Sequence, residues 1–460
     1  MSIDGRNPDR DSDLTVIAAP DTGDADTDTS DTDTGTDHTD ETIESGQLRP
    51  TSSFTVPGYR WLWFTGLVWH AARWMAVFGT AYRINEQTGD PLLVQLVGTV
   101  FMAPMFFGGP IAGMITDRFD RHRTVFRVLA TLIPLSGLIG LALTAGDTSV
   151  LVSYLYVMCI GAGNVVDMTS RRSLAFELAG PARISNAAAL ETLALHTGTM
   201  TGTLMGGAVL EVLDASAVYF GLAVVYLVAL GSFTLARRSG GFDRSFDRTK
   251  TGTGAAHPEP ATHTSLVDDL RAGIGLLKTH PLLRQFLVTT VLMNFFYYAF
   301  MPLVPRFAED LGVGAFLAGL LASAVGMGTM IGAMFIAWIQ PRRRGLIHIC
   351  GSLGAMAMLI VFANVPWYPA AFAALFVAGL SGSGFGTTQS ALVVTLVDES
   401  LRGRALGLLS MAIGALPFGM FSLGLLAQRT NPQLALTISV SVGFGLLVIW
   451  QAARPHLRAL

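Results

Sequence analysis

The chain has 460 residues, 51% of them hydrophobic and only 14% charged, with 50 glycines, 18 methionines and a mean hydropathy of +0.50. A soluble domain carries about 25% charged residues, so this composition excludes one. The net charge of −3 conceals a split: residues 1–50 hold 14 of the 33 acidic and 3 of the 30 basic residues, which leaves that segment at −11 and the rest at +8. Two cysteines, Cys159 and Cys350, rule out a disulfide framework or a multi-cysteine zinc site.

The acidic run DTGDADTDTSDTDTGTDHTDET is too polar to offset the entropy of ordering it, so residues 1–54 read as a disordered cytoplasmic tail. LTVIAAP at 14–20 is too short for a secretory signal, and insertion is expected through the first membrane helix. From Trp61 onward, twelve apolar runs recur, each able to cross a bilayer of about 30 Å, which takes about 20 helical residues. They span 61–83, 92–115, 125–146, 149–170, 187–210, 216–236, 284–307, 315–340, 346–364, 368–395, 405–428 and 433–453. The expected fold is therefore an all-α membrane protein with twelve transmembrane helices. The halves are 55–236 and 284–460, joined by a central cytoplasmic linker at 237–283.

Lys and Arg on alternate sides of these spans divide 24 to 3, which places the linker and both termini in the cytoplasm. Arg73 is left about twelve residues inside the first span, near the midplane at about 1.5 Å per residue. His70 is on the same helix face. An intramembrane ionisable group costs at least about 2.5 kcal/mol and marks a functional candidate. Arg73 suits planar oxyanions, so it reads either as an anion contact facing a central cavity, or as a structural partner of Asp167 or Glu191.

The second span ends in Gly113-Met-Ile-Thr-Asp117-Arg118-Phe-Asp120-Arg121-His-Arg123. Gly113 permits close packing, Asp117 can accept hydrogen bonds at a helix end, and Arg118 and Arg121 can reach carboxylates across a cytoplasmic seam. The stretch resembles the loop signature of the major facilitator superfamily, with Asp120 where that family usually has glycine. The resemblance implies two six-helix halves rocking around a midplane site.

Near the end of the fourth span, Asp167 and Arg171 are spaced as a gate or scaffold pair. Asp167 and, in the fifth span, Glu191 and His196 are the candidate proton carriers, since a half-buried carboxylate or imidazole can titrate near neutrality. Gly198, Gly202, Gly206 and Gly207 leave one face of that span nearly bare for a neighbouring helix. They also resemble the glycine motif of the superfamily's proton-driven exporters, with Thr203 in place of its proline. In the linker, Leu266, Leu270, Ile274 and Leu277 form the apolar face of an expected interfacial helix.

Asn294, Tyr297 and Tyr298 in the seventh span and Gln389 in the polar tenth are candidate substrate contacts, because these helices line the cavity in the superfamily. Segments such as Thr88-Gly89-Asp90-Pro91 and Leu401-Arg402-Gly403-Arg404-Ala405 resemble the branch containing the enterobactin exporter and macrolide efflux proteins. Arg73 stands where many of that branch have an acid. No nucleotide loop, zinc-protease motif or other enzyme signature is present.

The expectation is a monomeric multi-pass transporter of the cell membrane, with no cofactor other than a proton gradient and no nucleic-acid partner. It would export a small, siderophore-like anion by proton antiport. The alternatives are multidrug or macrolide efflux, import, or a membrane sensor acting through the tail.

Overall fold

The computed structural model describes residues 52–118, 120–146, 149–239, 275–339, 343–395, 397 and 401–453, without the side chains of 52, 106–118, 390–395, 402 and 403. Among the described residues all regular elements are helical, and the longer ones group into twelve successive rods. The first six are α1 (Tyr59–Thr88), α2 (Pro91–Arg118), α3 (Arg121–Thr144), α4 (Val150–Ala179), α5 (Ile184–Val212) and α6 (Ala215–Arg238). Then come α7 (Pro281–Asp310), α8 (Ala315–Ile339), α9 (Arg344–Asn364) and α10 (Tyr368–Thr395). The last two are α11 (Arg402–Ile413 and Leu416–Arg429) and α12 (Pro432–Ala453).

Nine of these rods, among the described residues, are long and apolar enough to cross a membrane. The other three are α1, α2 and α5. In α1 and α5 the charged Arg73, Arg83 and Glu191 are buried against other rods rather than left to lipid.

Local chemistry sets the turns. Gly89 closes α1 with φ +58, a left-handed conformation that glycine adopts without a Cβ penalty. Asp90 then accepts from Leu92 N at 2.8 Å, and Pro91 starts α2 where no amide partner is needed. Asp214 begins α6 in the same way, accepting from Ala217 N at 2.9 Å. Six short connections lie at one end of the bundle, here termed the short-turn end. The opposite, basic end carries the α2–α3 and α4–α5 connections.

At the basic end Asp120, the departure from the glycine of the loop signature, has a definite task. Its carboxylate caps α3, accepting from Arg123 N at 2.9 Å, and this backbone hydrogen bond holds its pKa below the ordinary carboxylate value. A depressed folded-state pKa contributes stability above the unfolded pKa, and that contribution is lost as pH falls through the folded value. Asp120→Ala should weaken the first turn of α3 by about 1 kcal/mol. The check is the protection of the Arg123 and Thr124 amides against exchange, relative to the intrinsic rate at each pH, which should fall in the variant and, in the wild type, only on acidification.

Two rods contain a π-turn. A π-turn at Asp167–Arg171 interrupts α4. In α7 a π-turn at Met293–Tyr297 passes into a 3₁₀ stretch at Tyr298–Leu303, where Pro302 and then Pro305 supply no amide for the helical ladder. Within the first six rods α1 packs along α5 and α6, α2 along α4, and α3 along α6. Within the last six, α10 packs along α8 and α9, and α9 along α12. The two sets meet where α5 runs along α8 and α2 along α11.

Residues 1–51 lie outside the described residues, as do Leu266, Leu270 and Ile274 of the expected interfacial helix. Helix is described at residues 275–279, where Leu276 packs with Leu283 and Phe286.

Candidate functional site

The site is built on one face of α1. Gly66, Trp69, His70 and Arg73 recur at helical spacing, and each meets a different neighbour. A Cβ at Gly66 would lie 2.4 Å from Arg171 Nη1, so the missing side chain is the space that the guanidinium occupies. Trp69 reaches Tyr226 of α6, with ring centroids 5.9 Å apart. His70 lies against Gly198 of α5, and Arg73 donates to Asn164 of α4.

The π-turn of α4 places Asp167 and Arg171 beneath this face. Arg171 is 1% exposed and binds two carboxylates at once. Its Nε donates to Asp167 Oδ1 and its Nη2 to Asp167 Oδ2 at 3.2 Å. From α5, Glu191 accepts Nη1 at 3.0 Å and Nη2 at 2.8 Å. Such forked pairing is specific to the planar guanidinium. In this cluster one guanidinium serves two carboxyl groups. A cavity of about 10 Å³, about the room one water needs, lies beside Asp167 and Arg171 and is lined in part by Thr65, Trp69 and Leu129.

Both carboxylates named as partners for Arg73 are therefore claimed by Arg171. Arg73 is 7% exposed, inside the first six rods; its hydrogen bond goes to the neutral Asn164, and its guanidinium stands 5.5 Å over the Trp74 ring. Its polar contact is thus to α4, in its own half. Around it, the buried polar atoms Arg73 Nε, His70 Nδ1, Trp69 Nε1, Trp74 Nε1 and Tyr226 Oη have no partner. Buried polar atoms are rarely left unsatisfied, and most of these five can donate. The group is consequently rich in donors and poor in acceptors.

Other predicted residues are distributed elsewhere. His196 is half-buried on α5, whose backbone at that point approaches Gly326 of α8. Asn294 donates to Thr290 O at 2.9 Å within α7, and Tyr297 donates to Ala378 O of α10 at 3.2 Å. Tyr298 packs against Phe385, and Gln389 is half-buried with Nε2 unpartnered. Arg121 pairs with Glu177 of α4, in its own half and not across the seam. Gly113, Asp117 and Arg118 fall in α2, where the side chains lie outside the described ones.

Gly198 and Gly202 bring α5 against α1, and Gly206 does so more loosely. A Cβ at Gly202 would fall 2.2 Å from Ala71 O. Gly207 instead faces Gly319 of α8.

Sequence reasoning missed Gly66, Asn164 and Tyr226, although Gly66 shares its helical face with His70 and Arg73. It also missed His348, which lies fully buried on α9 between Phe286 and Phe385, at ring separations of 4.9 and 5.0 Å. Its Nδ1 is 2.8 Å from Thr388 Oγ1.

Residues 62–422 match the family model of the Major Facilitator Superfamily. The chain is similar to the enterobactin exporter EntS of Shigella flexneri, 24% identical over 373 residues that cover 80% of this chain and 83% of that one. It is equally similar to EntS of Escherichia coli O1:K1, with 84% of that chain covered. Among solved structures, it resembles a bacterial homologue of the human lysosomal transporter Spinster at a TM-score of 0.60 and 15% identity, covering 90% of this chain and 97% of that one. A peptide transporter POT in complex with sulfate gives 0.66 and 13%, covering 90% and 99%.

Proposed function

Because the chain belongs to the major facilitator superfamily and is a multi-pass membrane transporter rather than an enzyme, we propose that it exports a small organic anion, held at Arg73, by proton antiport. The observation that carries this reading is the buried Arg73 itself, a cation hydrogen-bonded to a neutral amide and surrounded by unpartnered donors. A solute carboxylate or comparable oxyanion would supply the acceptors this group lacks. The named function of the EntS relatives, export of enterobactin, supports the outward direction and a siderophore-like solute. The basic end faces the cytoplasm in this reading, by the excess of Lys and Arg there, and both termini are cytoplasmic.

Asp167 and Glu191 carry the coupling proton, since either can be neutralised while the other keeps Arg171 paired. His196, near the α5–α8 seam, is a further carrier.

Transport into inverted vesicles with an imposed proton gradient tests the reading, with a citrate-like acid and a siderophore as solutes. Arg73→Gln should weaken apparent affinity for the anions by about 10- to 100-fold, the equivalent of about 1.5 to 3 kcal/mol for hydrogen bonds to a charged group. Arg73→Lys should recover only part of it, because the ammonium lacks the planar fork. Anion transport unchanged in both variants would remove Arg73 from the substrate site.

A further inference from the structure

We infer that Glu211 is the latch that closes the short-turn end of the transporter, by capping a helix of the opposite half. Helix α8 starts at Ala315, and its N-cap position is Gly314, whose carbonyl accepts from Ala318 N at 3.0 Å. An N-cap side chain normally accepts from the second or third helical amide, and Gly314 has no side chain to do so. The missing acceptor comes from α5 instead: Glu211 Oε2 takes the amide of Phe316, the second helical residue, at 3.1 Å.

The carboxylate lies in the space that a Gly314 side chain would fill, since a Cβ there would come 2.5 Å from Oε2 and 2.8 Å from Oε1. One turn earlier on α5, Gly207 fixes the approach, because a Cβ there would lie 2.5 Å from Ala315 O and 3.0 Å from Gly319 Cα. The negative carboxylate also meets the positive end of the α8 dipole.

Within its own half, Gly314 offers this terminus no side-chain cap. Separation of the halves at the short-turn end strips α8 of its cap, so the capped state is favoured as long as that end is shut. Other bonds at this end act in parallel across the halves, with Asn85 Nδ2 donating to Glu309 Oε2 at 2.8 Å and Gln428 Nε2 to Asp90 Oδ2 at 2.7 Å. Glu211 differs from them in holding a helix terminus that its own half's partner leaves bare. The inference rests on the chain's being a two-half transporter and is independent of the solute and of the coupling ion.

The test measures distances between spin labels on the full chain in nanodiscs. Labels go on Ala145→Cys and Trp367→Cys, exposed positions in the α3–α4 and α9–α10 turns, after Cys159 and Cys350, both exposed, are changed to serine. Glu211→Ala should raise the ratio of long to short separations about tenfold, in line with the loss of an N-cap. Glu211→Gln should raise it less, because the amide oxygen still accepts.

Gly314→Ala keeps the charge and takes away the space. Since Gly314 lies outside the left-handed region, alanine there acts through the carboxylate it displaces, and it should reproduce Glu211→Ala. A wild-type distance distribution in either alanine variant overturns the proposal.

Discussion

Arg171→Ala is expected to abolish transport and to destabilise the protein by about 3 to 5 kcal/mol, the penalty for leaving buried charges without their partner. Two carboxylates converge on this guanidinium, and all three side chains are nearly inaccessible to solvent. Removing the cation leaves Asp167 and Glu191 facing one another in a low-dielectric interior, with Arg73 already bound to Asn164. Arg171→Lys should fall between, since it restores the charge but cannot fork to both acids.

The converse substitutions should cost less. In Glu191→Gln or Asp167→Asn one carboxylate still neutralises Arg171, so stability should drop modestly while proton-driven exchange is lost. Gly66→Ala provides an independent probe, because its new methyl would press on Nη1 without altering any charge. Thermal unfolding of the purified protein, followed with a thiol-independent dye, separates these cases. An Arg171→Ala protein as stable as wild type would show that the cluster is not the buried ion network described.

The sequence and the structure agree where the signal is local. Apolar runs placed the long helices, nine of which among the described residues are long and apolar enough to cross a membrane, because about 20 consecutive apolar residues admit few other arrangements. The Asp167–Arg171 pair was readable from its four-residue spacing, and the glycine face of α5 from its repeat. What sequence could not supply was the partner chosen across long separations. Arg171 and Arg73 both compete for Asp167 and Glu191, and spacing alone does not rank them. The π-turn in α4 and the bare Gly66 on α1 decide for Arg171, and both are features of packing rather than of pattern.

His348 was passed over for a similar reason. A lone imidazole near a helix start gives no periodic signal, and only the fold shows it enclosed between two phenylalanine rings. Gln285 and Gln451, which hydrogen-bond at 2.6 Å, lie 166 residues apart and were equally invisible.

Gly202→Ala is expected to be the most damaging single methyl addition on α5, and the four glycines there should rank by what each new Cβ meets. At Gly202 the obstacle is the Ala71 carbonyl, a backbone atom at 2.2 Å on a helix that is itself packed on three sides, so relief requires α1 and α5 to separate. Overpacking of this kind costs about 1 to 3 kcal/mol, and more where no side chain can yield. Gly198→Ala meets the His70 Cβ at 2.5 Å and should disturb the donor group around Arg73 as well as stability. Gly206→Ala, whose nearest neighbour is a Phe78 ring carbon at 3.3 Å, should be nearly neutral.

Gly207→Ala should behave differently from all three, because its obstacle is Ala315 O in the other half. The helix pair within the first half is left intact, so the protein should fold with normal yield and unfold at a normal temperature. What it should lose is the ability to bring α5 and α8 together, and the short-turn end should stay open. Expression yield and thermal midpoint report the first three variants, whereas the label separation across the short-turn end reports the fourth. If Gly202→Ala folded as well as Gly206→Ala, the close α1–α5 contact would be refuted, and with it the position assigned to His70 and Arg73.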